Sequence, residues 1–179
     1  MSTPLWQPSL EEKRDTLLTQ FSNKIQAKYN LPDFDYTTLH QWSIDNPELF
    51  WEEVWNDSNV LASKSWNKVM RKDLFNVRND YKRSGWFEGA RLNYAENLLL
   101  RNNDENVALS FVAENGTKHS MTYAELRAAV SQCALGMKDI GVSKMDRVAA
   151  VIPNCPEAVI GLLAAASIGA IWSSCSPDF

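Results

Sequence analysis

The stretch from residue 146 to residue 174 constrains the fold most, because two short apolar runs flank an apolar helix. "DRVAAVIP" is typical of a strand buried on both faces, and "AIWSS" predicts a second strand. Between them, "PEAVIGLLAAASIG" predicts a helix that is apolar nearly all round. Strand, helix and strand in this order form a βαβ crossover, which implies a parallel sheet with covered faces. With only two such strands, we expect this helix to have too few neighbours and an exposed apolar face.

The preceding stretch predicts a hairpin followed by a helix, so the second half reads as α/β. "VALSFVAENGTKHSMTY" contains two strand-like runs joined by a turn at Asn115-Gly116, where both residues tolerate positive φ. In "TYAELRAAVSQCALGMKDIGV", Thr122 and Glu125 have the spacing of a capping box, and Gly141 ends the helix.

The first half is predicted to be helical. "SLEEKRDTLLTQFSNKIQAKY" predicts one helix that begins with a capping box at Ser9 and Glu12. "DYTTLHQWSI" and "NPELFWEEVW" predict two more, the latter capped by Asn46 with Pro47 at its first position. Five of the seven Trp residues lie between residues 42 and 86, which indicates a helical layer packed on something larger; an aromatic ligand cage is the alternative. The polar stretch "LRNNDENV" predicts a linker, and hence domains at 1–100 and 101–179.

Composition and motifs exclude several classes of function. The net charge is −4 and the basic residues are scattered, so no nucleic-acid partner is expected. The longest apolar run is short and rich in Gly and Ala, and the N-terminus lacks a signal pattern, so we expect no membrane span and a cytoplasmic location. No glycine-rich phosphate loop, GxSxG elbow or metal-ligand spacing occurs. A structural or surface role is expected for each cysteine and histidine: Cys133, Cys155, Cys175, His40 and His119.

Three stretches resemble one enzyme family. "GWFEGARLNYAENLLLR", residues 85–101, looks like the corresponding run of the acetoacetyl-CoA synthetases. "LHQWSIDNPELFWEEVW" is similar to the helical N-terminal segment that they share with acetyl-CoA synthetases. "GVSKMDRVAAVIPNCPEAVIGLLAAASIGAIWSSCSPDF" is similar to the first strand–helix–strand of the adenylate-forming fold. The resemblance covers essentially the whole chain, in family order.

This resemblance implies ligation of a carboxylic acid, here acetoacetate, to CoA. The acid attacks ATP to give an acyl-adenylate and pyrophosphate, and the CoA thiol then displaces AMP, while Mg²⁺ shields the phosphates. The family's phosphate loop, ribose-binding acid, hinge and catalytic Lys match nothing in the 179 residues. We therefore assign no catalytic or metal-binding residue, and we expect ATP, CoA and Mg²⁺ to bind poorly to this piece alone.

The expected product is an incomplete α/β fold, an inactive N-terminal fragment that arises as a truncated product, a partial gene model or a short isoform. Its open parallel edge should promote aggregation. Two alternatives stay open. One is a non-catalytic module that binds a full-length synthetase, and the other is part of an acid–CoA ligase of different specificity, such as acetyl-CoA synthetase.

Few residues receive a role from the resemblance. Ser176, Pro177 and Asp178 follow the last predicted strand, and the corresponding loop of acetyl-CoA synthetases lies near the CoA site, although it is glycine-rich there. We assign these three as CoA-proximal, with a structural turn as the alternative. Cys175 is not expected to act as a nucleophile. Four residues of the 85–101 stretch are expected to anchor the linker by hydrogen bonds: Arg91, Asn93, Tyr94 and Asn97.

Overall fold

The computed structural model describes residues 5–32, 35–71, 85–100 and 103–177, which divide into two compact units. The first unit comprises residues 1–60 and 66–89, and the second comprises residues 61–65 and 90–179. Helices and small sheets occur in both. Residues 101 and 102 of the predicted linker lie outside the described residues.

The first unit consists mainly of helices. Its elements are α1 (Leu10–Arg14), α2 (Leu17–Tyr29), α3 (Tyr36–Asp45), α4 (Pro47–Asp57), β1 (Lys68–Met70) and β2 (Trp86–Glu88). The capping box at the start of α1 is confirmed, since the Ser9 N–H donates to Glu12 Oε2 at 2.7 Å. The prediction of one helix here is wrong. The Thr16 hydroxyl accepts the Thr19 N–H at 3.1 Å and starts α2 as a separate helix.

Helix α4 begins with Pro47 at its first position, as predicted. Asn46 is the residue before it, but its side chain does not cap the helix. Instead its Nδ2 donates to the Trp42 carbonyl at the end of α3, at 3.2 Å. The predicted side-chain cap is therefore wrong, and the Asn46 backbone, with φ of −127° and ψ of 55°, lies outside the extended region usual for a capping residue.

The indole rings of the first unit pack on one another. The Trp55 ring centroid lies 4.9 Å from Trp66 and 4.5 Å from Phe87, and Trp51 lies 5.8 Å from Trp86. These contacts join α4 to the β1–β2 pair, so the rings serve as packing surface. Gly89, just after β2, has φ of +83°, and a Cβ there would meet Asn67 Nδ2 at 2.7 Å.

Glu53 is the buried charged residue of the described first unit, with a relative exposure of 1%. It projects from α4 and accepts hydrogen bonds from Lys28 Nζ and from the Tyr29 hydroxyl, the latter at 3.0 Å. The hydrogen bond to Glu53 raises the pKa of Lys28, and burial raises the pKa of Tyr29. This group ties the C-terminal end of α2 to α4.

The second unit has the predicted α/β order. Its elements are α5 (Tyr94–Leu99), β3 (Val107–Val112), β4 (Lys118–Thr122), α6 (Tyr123–Asp139), β5 (Arg147–Val151), α7 (Pro156–Ser167) and β6 (Ile171–Cys175). Strands β3 and β4 form the expected antiparallel hairpin, with Val112 opposite Lys118. Of the two turn residues, Gly116 has a positive φ, +82°, while the Asn115 side chain accepts the Thr117 N–H at 3.0 Å.

The core of the second unit lies between three helices. The buried cluster joins Ala95 and Leu99 of α5, residues of α6, and Leu163 and Ala164 of α7. The capping box of α6 is confirmed, because the Thr122 N–H donates to Glu125 Oε2 at 2.8 Å. The expected exposed apolar face on the last helix is wrong, since α7 packs against α5, α6 and β6.

Strands β5 and β6 are parallel and joined through α7, which confirms the predicted crossover. Among the described residues, three separate two-stranded sheets occur, and this pair is the parallel one. Exposed apolar surface lies on this pair instead of on α7: Val151 is 73% exposed and Ile171 is 45% exposed.

Candidate functional site

The candidate site lies at the carboxyl edge of the parallel pair. At this edge the Ile152 N–H donates to the Cys175 carbonyl at 3.1 Å, so the two strands stay paired to their ends. Ser176 follows half-buried and Pro177 is exposed; Asp178 lies outside the described residues. In open α/β sheets ligands bind at this edge. The geometry therefore suits a ligand-facing loop.

Helix α7 begins at the same edge and has a carboxylate in its first turn. Pro156 is its first residue, and Glu157 lies in its first turn. The pKa of Glu157 is lowered, first by its own backbone N–H and second by a hydrogen bond from Cys155. An ionised carboxylate at a helix N-terminus uses the positive end of the dipole that a phosphate would otherwise meet. This end of α7 is thus a poor phosphate cradle.

Clusters of metal ligands and free thiols are the other features of the described residues that could carry chemistry. No group of three or more His, Cys, Asp and Glu side chains in residues 5–32, 35–71, 85–100 and 103–177 could hold a metal ion. Cys133, Cys155 and Cys175 are free thiols, of which Cys175 is exposed. No Mg²⁺ ligand is therefore assigned among the described residues.

A cavity of about 610 Å³ lies in the second unit between α5, α6 and the end of α7. Its floor is apolar, and Arg127 stands at its rim. The guanidinium group of Arg127 is already occupied, because it donates to the Leu99 carbonyl at 2.9 Å and pairs with Asp104. The cavity therefore presents apolar packing surface and an engaged guanidinium group, and the charged residues Glu96 and Lys138 also line it.

The anchoring residues of the 85–101 stretch are partly as predicted. Asn93 Oδ1 accepts the Glu96 N–H at 3.2 Å, which caps α5, and Asn93 Nδ2 donates to the carbonyls at the end of α7 at 3.0 and 3.1 Å. Asn97 exchanges two hydrogen bonds with the Leu61 backbone, at 2.9 and 2.8 Å. Both predictions are confirmed.

The other two predicted anchors differ. Arg91 is held through its backbone, which forms an isolated bridge with Lys64. Tyr94 is 60% exposed, and no side-chain hydrogen bond joins it to another described residue, so the prediction is wrong for Tyr94. Its position at the start of a short helix leaves the ring pointing away from the core. The double role of Asn93, cap of one helix and clamp on another, had only the Asn93-to-Glu96 capping spacing as its signal in the sequence.

Comparison with known proteins identifies relatives over the whole chain. Residues 36–98 match the family model "Acetyl-coenzyme A synthetase N-terminus", and residues 99–179 match "AMP-binding enzyme". The acetoacetyl-CoA synthetase of Xenopus tropicalis is 40% identical over 98% of this chain. This chain is homologous to the N-terminal quarter of acetoacetyl-CoA synthetases. It spans 25% of the Xenopus protein's length.

Two further comparisons agree with this homology. The solved structure of acetoacetyl-CoA synthetase from Streptomyces lividans is 35% identical and superposes with a TM-score of 0.85 over 99% of this chain and 27% of that one. A malonamoyl-CoA synthetase from Penicillium aethiopicum is 35% identical over 97% of this chain and 24% of its own length. The resemblance to the acetoacetyl-CoA synthetases and the adenylate-forming fold is confirmed. Among the described residues, no helix has the length and apolar character needed to cross a membrane.

Proposed function

We propose that this chain forms the N-terminal part of a ligase that joins acetoacetate to CoA at the expense of ATP. The observation that carries the proposal is the 40% identity to an acetoacetyl-CoA synthetase over 98% of the chain. The matching backbone in the Streptomyces enzyme, with a TM-score of 0.85, supports the same assignment. Acetoacetate, ATP and CoA are then the partners, and the division into domains at 1–100 and 101–179 is part of the same proposal.

In this role the chain supplies scaffold instead of reacting groups. The carboxylate of the acid is a poor acylating agent, and its conversion to a mixed anhydride with AMP makes the later attack by the CoA thiol favourable. ATP provides the adenylyl group, and Mg²⁺ supplies charge shielding when bound. The described residues hold β5 and β6 parallel with their carboxyl edge open, and they contribute no phosphate loop. We therefore propose that the 179-residue chain is inactive alone.

We further propose that the loop after β6, comprising Ser176, Pro177 and Asp178, lies close to CoA in the complete enzyme. The position of Ser176 and Pro177 at the carboxyl end of a parallel strand supports this. Ser176→Ala and Asp178→Asn should then raise the KM for CoA while leaving acetoacetate-dependent ATP–pyrophosphate exchange unchanged. Equal effects on both half-reactions would point to a structural turn.

A second acid is also a candidate. The Penicillium relative is named for malonamoyl-CoA, and its acyl group, like the acetoacetyl group, carries a carbonyl at C3. A ligase for malonamate, or for another acid with a C3 carbonyl, is therefore the runner-up. Competition among acetoacetate, malonamate and acetate in the assay below separates these acids.

A chimera tests the proposal. This chain replaces the matched N-terminal part of the Streptomyces enzyme, and thioester formation is measured with each acid against the parent enzyme. We expect a soluble ligase that prefers acetoacetate. A folded chimera without ligase activity would refute the proposed role. The isolated 179-residue chain, assayed at the same concentration, should show exchange at background, and measurable exchange would refute the proposed inactivity.

A further inference from the structure

One face of the β5–β6 pair is open. On the covered face, Trp172 packs so closely on α7 that a Cβ at Gly161 would meet the indole at 2.7 Å. Strand side chains alternate between faces, so Ile171, Ser173 and Cys175 point to the other side. All three are exposed.

The strand register completes this open face. Arg147 is opposite Ile171, Ala149 is opposite Ser173, and Val151 is opposite Cys175. The β5 members of these pairs are exposed as well, whereas Val148 and Ala150, on the α7 side, are half-buried. We call the six residues of these three pairs the open face.

An open face of this kind is unusual for parallel strands. Parallel sheets occur almost only with both faces covered, because the crossovers place helices on each side. Here Val151 is 73% exposed and Ile171 is 45% exposed, and within the described residues no further strand pairs with the outer edge of β5 or β6. Backbone groups and apolar side chains are thus both available for a partner.

A second copy of this chain is a poor occupant of the open face. Two strands about 4.8 Å apart and five residues long present a face on the order of 150–200 Å². A stable interface buries about 800 Å² on each partner. Flat contact between two open faces is therefore too small, and the occupant has to extend the sheet by backbone pairing while it covers the apolar side chains.

The length of the Streptomyces enzyme beyond the matched part points to one occupant. Almost all of this chain superposes on 27% of that enzyme with a TM-score of 0.85, so a similar backbone exists there within a much longer chain. We propose that the open face binds the part of an adenylate-forming ligase that lies beyond the matched quarter, even when that part is supplied as a separate chain. This inference rests on the proposed function.

Co-expression tests the proposal. The full 179-residue chain is expressed with the tagged remainder of the Streptomyces enzyme, and its recovery on the tag is measured. We expect recovery in a 1:1 ratio, and Ile171→Glu should lower it at least tenfold. The control, Ile140→Glu, makes the same change at an 81% exposed position after α6, and its recovery should equal that of the unmodified chain. Absence of recovery, or equal recovery of both variants, overturns the proposal.

Cys175 supplies a readout that does not depend on a substitution. It is an exposed free thiol on the open face, whereas Cys133 and Cys155 are half-buried. Alkylation by iodoacetamide, followed by peptide mass spectrometry, should be at least tenfold slower at Cys175 in the complex than in the chain alone. Unchanged alkylation means that the two chains associate elsewhere, which overturns the proposal.

The outcomes separate this inference from the proposed function. If the covalent chimera is an active ligase and the separate chains do not associate, only the docking inference fails. If the chimera folds without activity, the proposed function fails first. A dimer of the isolated chain in light scattering, with Cys175 protected from alkylation, would show that a second copy occupies the open face and would also overturn the inference.

Discussion

Gly161 offers the sharpest test of how α7 packs on the parallel pair. It lies in the middle of α7, where alanine is ordinarily preferred over glycine by about 0.5–1 kcal/mol. Its missing side chain leaves room for the indole of Trp172. A Cβ built at Gly161 would lie 2.7 Å from Trp172 Cη2 and 3.0 Å from Cζ3. The substitution Gly161→Ala therefore has two opposing effects on stability: higher helix propensity stabilises the chain, and a clash with a rigid ring destabilises it.

A matched glycine separates these two effects. Gly136 lies within α6, and a Cβ there would have nothing within 4 Å, so Gly136→Ala should raise the unfolding free energy by about 0.5–1 kcal/mol. Overpacking of a core costs about 1–3 kcal/mol. Since propensity acts similarly in both variants, Gly161→Ala should be less stable than Gly136→Ala by about 1–3 kcal/mol.

Urea unfolding of the 179-residue chain, followed by circular dichroism at 222 nm, measures both variants. A double-mutant cycle with Trp172→Leu adds a second condition, because Gly161→Ala should cost less when the indole is absent. If Gly161→Ala stabilises the chain as much as Gly136→Ala does, the close contact between α7 and β6 is not present in solution. The reasoning about the covered face would then be refuted, and with it the assignment of the open face.

Three further substitutions test single contacts by urea titration. Glu53→Gln removes the buried charge that Lys28 meets, and it should lower the unfolding free energy by about 1–2 kcal/mol; an unchanged midpoint contradicts this. Asn93→Ala uncaps α5 and frees the end of α7, with an expected loss of about 1–2 kcal/mol, and a loss near zero would show that water replaces these bonds. The pKa of Asp146 lies below its ordinary 3.8 because the Ser143 hydroxyl and backbone N–H donate to its carboxylate. That stabilisation is complete above the ordinary pKa and is lost as the pH falls through the folded-state pKa, so stability should fall more steeply between about pH 5 and pH 2 in the unmodified chain than in Asp146→Asn; parallel profiles would contradict it.

Local signals in the sequence predicted local structure well. Capping boxes need only two side chains three residues apart and a free helix start, and both predicted boxes form. Pro47 and Pro156 begin helices because a missing N–H costs nothing at the first position. The crossover from β5 to β6 was predictable for a related reason, since strand, helix and strand in sequence pair in parallel.

Predictions that depend on competition between neighbours fared less well. The break between α1 and α2 arises because the Thr16 side chain caps a new helix. Asn46 has the right position in the sequence to cap α4, yet the turn that joins α3 to α4 holds its backbone outside the extended region usual for a capping residue. The buried Glu53 had no signal in the sequence, because its burial depends on a lysine and a tyrosine that a different helix delivers.

The site was predictable only in position. The carboxyl end of a parallel strand follows from strand order, so the loop at Ser176 could be placed at the ligand-binding edge from the sequence. The effect of Glu157 on anion binding at the start of α7 could not be predicted from strand order. Whether Glu157 favours or opposes an anion there depends on its own backbone N–H and on Cys155, which lower its pKa and keep it ionised.

The location of exposed apolar surface shows why composition alone misled. A helix that is apolar all round was expected to lack neighbours, yet Gly161, Ala164 and Ala165 are buried. Small side chains let α5, α6 and the Trp172 ring approach the α7 backbone closely, so a few neighbours suffice to enclose it. The β5–β6 pair cannot be enclosed in this way, because α7 covers only one of its two faces. The exposed apolar side chains of this crossover therefore lie on the strands, at Val151 and Ile171, and not on α7.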